Sequence, residues 1–259
     1  MSATRTILIS GASSGLGAGL ARHYAARGTR LVLTGRDVAR LEATAAAARN
    51  AGAEVVTATF DVAEAEPLGR WIAEQDAATP FDIVIAAAGV SAGTSPDGAP
   101  EGRDLATMQV RTNLLGTMHV VESVIAPMIA RGRGQIVLIA STAALRGLPY
   151  SPGYSASKAG VRAYGEALRA LLAPKGIQVT VVIPGFFDTP MTDRWKGPTP
   201  FMTSLDEMVR VIARGIGRRS ARVVHPRLLA LGTQAADLLP AAIGDRIMRG
   251  FRFHIEPGA

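Results

Sequence analysis

The chain has 259 residues, 48% of them hydrophobic and 19% charged, which is long enough to bury a sizeable core and too apolar for a disordered polypeptide. It contains no cysteine, which excludes disulfides and thiolate metal sites. No apolar run reaches the roughly eighteen residues that cross a bilayer, and the opening "MSATRTILIS" enters a short apolar strand without the parts of a signal peptide. A cytoplasmic, metal-free protein is expected. The net charge is +7, and from Arg210 onward nine arginines face only Asp237, Asp245 and Glu256. An excess gathered so locally implies a solvated basic segment over 218–259, with an acidic partner as the alternative, and no nucleic-acid partner. Within it Leu228, Leu231, Ala235, Leu238 and Ala242 or Ile243 recur every three to four residues, which implies packing on the domain or an oligomer contact, with peripheral contact to an anionic membrane surface as the alternative.

Along the chain, short apolar runs alternate with longer segments of helical spacing. Strands are expected at 6–10, 30–35, 54–60, 81–89, 134–141, 177–185 and 221–226, with helices at 15–27, 37–50, 64–77, 103–131, 152–173 and 205–217. Runs such as "IVIAAA" and "IVLIAS", the latter apolar up to its closing serine, suit strands covered on both faces. The alternation predicts an α/β fold in one domain, 1–259: a doubly wound parallel sheet of about seven strands with helices on both sides. Two irregular stretches, 89–102 and 189–203, follow the fourth and sixth strands, at the sheet edge where such folds bind ligands. The region 189–217 is accordingly expected to form a substrate loop or lid.

The first strand runs into "SGASSGLG", with Gly11, Gly15 and Gly17 spaced G-x-x-x-G-x-G ahead of a helix. Gly11 lets the chain turn sharply off the strand. Gly15 and Gly17, with Leu16 between them, let a pyrophosphate approach the backbone at a helix N-terminus, where free N–H groups and the dipole favour an anion. Ser13 and Ser14 add hydroxyl donors. This turn resembles that of the short-chain dehydrogenase/reductase family, with Ser10 in place of its usual threonine. At the tip of the second strand, Arg36 matches the basic residue of NADP-binding members, and Gly35 stands where an NAD-type aspartate would fall. NADP is therefore expected, with NAD as the alternative, while Asp37 is expected to cap the next helix. The resemblance further implies that Asp61 and Val62 flank the adenine, that Ala88 and Gly89 approach the cofactor ribose, and that Pro184, Gly185 and Thr189 hold the nicotinamide. Ala86 and Ala87 replace two asparagines common in the family, so other contacts are expected to brace the sheet there.

In "YSPGYSASKAGVRAY" a helix is expected to begin at Ser151-Pro152 and to present Tyr154 and Lys158 on one face, since positions i and i+4 are neighbours. A cation within about 4–6 Å favours a phenolate, so Lys158 is expected to lower the Tyr154 pKa toward working pH, as a general acid–base needs. Ser141, thirteen residues earlier, and Asn113, in the long helix, complete the family's tetrad of Asn113, Ser141, Tyr154 and Lys158. There the serine stabilises the substrate oxygen and the asparagine holds a water that relays protons to the lysine. The resemblance runs from Ile7 to Thr189 and implies a Rossmann-type fold. It also implies hydride transfer between NADP(H) and a carbonyl or secondary alcohol, and a homodimer or homotetramer formed through helices 103–131 and 152–173. A catalytically silent NAD(P)-binding sensor on the same scaffold is the alternative. Leu145, Leu148, Tyr150, Phe186, Phe187, Met191, Trp195, Phe201 and Met202 are expected to line an apolar substrate pocket. The four histidines lack metal-ligand spacing.

Overall fold

The computed structural model describes residues 5–256; the outermost residues of the expected domain, 1–4 and 257–259, lie outside the described residues. Seven parallel strands form one sheet: β1 (Arg5–Ser10), β2 (Thr29–Gly35), β3 (Glu54–Thr59), β4 (Ile83–Ala86), β5 (Gly134–Ile139), β6 (Ile177–Pro184) and, after a two-residue β7 (Trp195–Lys196), β8 (Arg222–His225). Their order is β3-β2-β1-β4-β5-β6-β8, so the winding reverses between β1 and β4. A crevice opens at the carboxyl ends of the strands at such a reversal.

Alternate residues of each strand face opposite sides, and both sides are covered. Leu8, Val32, Val84, Ile136 and Leu138 pack with α3 (Ala65–Ala78), α5 (Gly116–Arg131) and α6 (Pro152–Leu172). Ile7, Ile9, Leu31, Leu33, Ile83 and Ile85 pack with α1 (Gly15–Tyr24), α2 (Val38–Asn50) and α8 (Leu205–Gly217). This double burial explains why the strand centres, such as Ile83–Ala86 and Ile136–Ile139, are continuous apolar runs. The expected lid region 189–217 therefore divides. Residues up to Ser204 form a loop with a short helix α7 (Pro190–Asp193), whereas α8 is a core helix that buries Met208, Val209, Ile212 and Ile216.

The helical span 102–131 is long and apolar enough to cross a membrane by length and composition alone. Val120, Val121, Val124 and Met128 are fully buried within the domain, so it is a core helix. It begins as α4 (Gly102–Gln109) and passes through a π-helical stretch, Val110–Leu115, before α5. Asp76 on α3 receives two hydrogen bonds from Arg131 (2.8 and 2.9 Å) and one from Phe81 N (2.8 Å), which ties α3, α5 and the entry to β4 together.

The basic C-terminal segment is built into the fold and is no solvated tail. Its first part is β8, the edge strand; α9 (Arg227–Asp237) and α10 (Ala241–Gly250) follow, and β9 (His254–Ile255) pairs antiparallel with β7. Trp195 stacks on Phe253 at 3.6 Å between ring centroids, which fastens the loop after β6 to the chain end.

Candidate active site

The site is a cleft of about 580 Å³ along the carboxyl ends of the strands, within the range of small-molecule sites. One end is the glycine turn. Gly11 adopts φ +71°, and a Cβ there would lie 2.7 Å from Ala88 Cα; a Cβ on Gly17 would lie 2.2 Å from the Gly11 carbonyl oxygen. Only glycine fits either position, and the bare backbone forms a cradle at the start of α1. Ser14 is the N-cap of that helix and makes no side-chain cap bond. Gly11, Ser13, Ser14, Gly15, Leu16 and Gly17 all line the cleft.

At the tip of β2, Arg36 lines the cleft with its side chain just over half exposed and one guanidinium nitrogen 3.7 Å from Asp61 Oδ2. Asp37 caps α2 by accepting from Arg40 N, and its other oxygen pairs with the Arg40 guanidinium at 2.8 Å. Arg40 also lines the cleft, so two cations stand at this end, Arg36 just before the α2 cap and Arg40 in the first turn of α2. Val62 is a lining residue; Asp61 is not, and its Oδ1 accepts from Ala63 N at 2.9 Å. The bracing expected near Ala86 and Ala87 comes from Ser10, whose Oγ accepts from Ala87 N and Ala88 N at 3.2 and 3.4 Å. Ala88 and Gly89 line the cleft.

The other end holds the titratable groups. Pro152 opens α6, and the buried carboxylate of Glu101 accepts from Gly153 N (2.5 Å) and Gln109 Nε2 (2.8 Å). Gln109 Oε1 in turn accepts from Ala92 N at 2.8 Å. The loop after β4, the start of the long helix and the first turn of α6 are thereby locked together one residue before Tyr154. Ser141 caps a 3₁₀ turn, Oγ accepting from Ala143 N at 3.1 Å, and its hydroxyl acts on Tyr154 in the direction that favours the phenolate. Lys158 Nζ donates to Ile139 O at 2.9 Å and stands 5.8 Å from the centre of the Tyr154 ring. Ser141, Tyr154 and Lys158 all line the cleft.

Asn113 is fully buried and does not line it. Its side chain accepts from Val90 N (2.7 Å) and donates to Val90 O (3.0 Å) and Ser157 Oγ (2.9 Å). The partner that a buried amide requires is thus supplied by protein groups. The π-helical stretch that carries Asn113 is a feature often found at functional sites; here it brings loop 89–90 against α6.

Electrostatically the site departs from the sequence expectation. The Tyr154 phenol is pushed above its ordinary value, chiefly by burial, with the Ser141 hydrogen bond acting in the lowering direction. Burial also lowers Lys158, to about 8. The apolar wall disfavours phenolate and ammonium alike, and this outweighs the attraction of a cation 5.8 Å from the ring. In the free protein Tyr154 is a neutral phenol.

Between the two ends, Pro184, Gly185 and Thr189 line the cleft below β6. Thr189 caps α7 by accepting from Thr192 N at 3.2 Å. Of the expected pocket residues, Leu148, Phe186, Phe187, Met191, Trp195 and Phe201 line the cleft, while Leu145 belongs to the core. Tyr150 turns to Phe253 and donates to Arg249 O, and Met202 projects outward; neither lines the cleft. The sequence reading missed Leu228, Leu229, Thr233, Ile247, Met248 and Phe251, with which α9 and α10 close the outer wall.

The sheet order and the glycine turn define a Rossmann-type α/β protein. A model of the short chain dehydrogenase family matches residues 5–198. An uncharacterized oxidoreductase of Myxococcus xanthus is 36% identical over 249 residues, spanning 96% of this chain and 98% of its own. A ketoacyl reductase of Nostoc is 30% identical over 260 residues, spanning 95% and 89%. Among solved structures, a short-chain dehydrogenase from Sphingobium yanoikuyae in complex with NADPH aligns with a TM-score of 0.78 at 27% identity over 96% of each chain. The chain belongs to the short chain dehydrogenase family and is an oxidoreductase.

Proposed function

We propose that the protein transfers hydride between NADP(H) and the carbonyl or secondary alcohol of a hydrophobic substrate in the cytoplasm, with Tyr154 as general acid and base. One observation carries this reading: Ser141, after β5, and Tyr154 and Lys158, on α6, face the same cleft as the glycine turn and Arg36.

The residues fit a dinucleotide. The side-chain-free cradle of Gly11, Gly15 and Gly17 suits a pyrophosphate, and Arg36 and Arg40 suit the 2′-phosphate that distinguishes NADP from NAD. Pro184, Gly185 and Thr189 would hold the nicotinamide end, whose reduced form supplies a hydride to the carbonyl carbon. Tyr154 gives its phenolic proton to the carbonyl oxygen, and Ser141 stabilises the charge developing there. A phenol held neutral by burial suits this reductive direction. Lys158, still protonated at neutral pH, stabilises the phenolate that remains after the proton has left. Asn113 acts through Val90 and Ser157 as a positioning residue. Apolar walls from Phe186, Trp195 and the C-terminal helices support a bulky lipophilic substrate. Exposed Leu115 and Leu171, on the long helices, support a homodimer or homotetramer.

Titration with NADPH and NADH, followed by cofactor oxidation with ketones of increasing bulk, tests the reading. Tighter binding of NADPH and faster turnover of bulky apolar ketones are expected. Equal affinity for the two cofactors, or no turnover of any carbonyl, would contradict it.

A further inference from the structure

The C-terminal helices present a surface that the cleft chemistry leaves unexplained. Ala230 is the only buried residue among the described side chains of α9, and Gly244 the only one of α10. The outward stripe of α9 is Leu228, Leu231 and Leu238, exposed by 68%, 61% and 89%. Ile243, Ile247 and Phe251 recur every four residues along α10 and are 42–50% exposed. A helix pair that turns its large apolar residues outward lacks its partner.

Charge indicates which partner. Arg227, Arg246, Arg249 and Arg252 lie on the same two helices and their ends, are exposed, and pair with no carboxylate among the described residues. Two nearby acids among the described side chains are engaged elsewhere: Asp245 pairs with Arg146 at 2.9 Å and Glu256 with Lys196 at 3.3 Å. A twofold contact between two copies would set this arginine-rich patch against itself, which opposes self-association through it. An anionic bilayer answers both features, taking the leucines into the acyl boundary and the guanidinium groups at the headgroups.

We infer that α9 and α10 form a docking face for an anionic lipid bilayer. Leu228, Ile247 and Phe251 belong both to this face and to the wall of the cleft. The mouth of the cleft therefore opens at the docking surface, and, on the reading of the cleft as a carbonyl-reducing site, a lipophilic substrate enters from the acyl region without crossing water.

Flotation of the full chain with vesicles tests the docking face independently of turnover. The protein should float with equimolar phosphatidylcholine and phosphatidylglycerol and stay behind with phosphatidylcholine alone. Binding should fall in about 1 M salt, where the screening length shrinks to about 3 Å. The double variant Leu231→Glu/Leu238→Glu alters no cleft residue; its bound fraction should drop about tenfold with unchanged oxidation of NADPH by a water-soluble ketone. Arg246→Glu/Arg249→Glu should lose binding in the same way. The inference fails if the wild type ignores anionic vesicles, or if both double variants float like it. It also fails if the leucine variant changes the oligomeric mass by light scattering, which would assign the face to a second copy.

Discussion

The two ends of the chain build the same cleft by different means. From β1 to β6 the site rests on backbone: glycines that admit no Cβ, strand ends fixed by the sheet, and an α6 start locked by Glu101 and Gln109. Beyond residue 198, where the family match ends, the wall is side chains on helices that bury almost nothing else. The contrast teaches that the glycine turn and the α6 start are over-determined by the fold, whereas the outer wall is a cover that little else holds in place. Damage to the first region should cost stability or chemistry, and damage to the second should shift specificity.

Lys158→Met should break the frame's chemistry while leaving the frame firmer. Turnover should fall about a hundredfold or more, because the charge that offsets the Tyr154 phenolate is lost. The unfolded chain holds that lysine's proton up to its ordinary 10.5, whereas the folded chain releases it near 8. Burying the charge therefore costs stability below about pH 8, and the wild type regains stability as pH rises from 8 through 10.5. Denaturant unfolding at pH 7 should show the variant about 2 kcal/mol more stable, after allowing for the lost bond to Ile139 O. That advantage should vanish at high pH.

Asp76→Ala, far from the cleft, should cost about 3 kcal/mol in the same measurement, because Arg131 is left as a largely buried cation without its partner. Arg36→Ser should raise the KM for NADPH about tenfold and leave that for NADH nearly unchanged, as a partly exposed phosphate contact would. The smallest expected effect falls on the cover. Leu228→Ala should change stability by less than about 0.5 kcal/mol, yet shift kcat/KM between bulky and small ketones several-fold. A large loss of stability in that variant would erase the distinction between the two regions.

The same contrast governs what the sequence disclosed. Gly11, Gly15 and Gly17, the Tyr154–Lys158 pair and the Ser141 strand end are legible because local backbone rules dictate residue type at fixed spacing. That other contacts brace the sheet beside Ala86 and Ala87 was legible from the missing asparagines, but that Ser10 supplies them was not, because a hydroxyl at a strand end does not show which backbone it will meet. Arg40 was missed although it stands in the first turn of α2, close after Arg36, because its pairing with Asp37 reads as an ordinary surface ion pair. The helical apolar spacing over 228–243 is legible and points to packing on the domain, but the cleft-facing part of α9 and α10 is not, because Leu229 and Thr233 face the cleft from helices whose leucines mostly face outward. The Tyr154 shift was misjudged in direction, since spacing reports a neighbouring cation and says nothing of burial around the pair.

The central claim is that the Tyr154 hydroxyl delivers the proton as hydride reaches the carbonyl carbon. It is tested most directly by comparing NADPH affinity and single-turnover ketone reduction in the wild type and Tyr154→Phe. The account predicts unchanged NADPH binding with reduction slowed about a hundredfold or more. Equal reduction rates in the two proteins would contradict it.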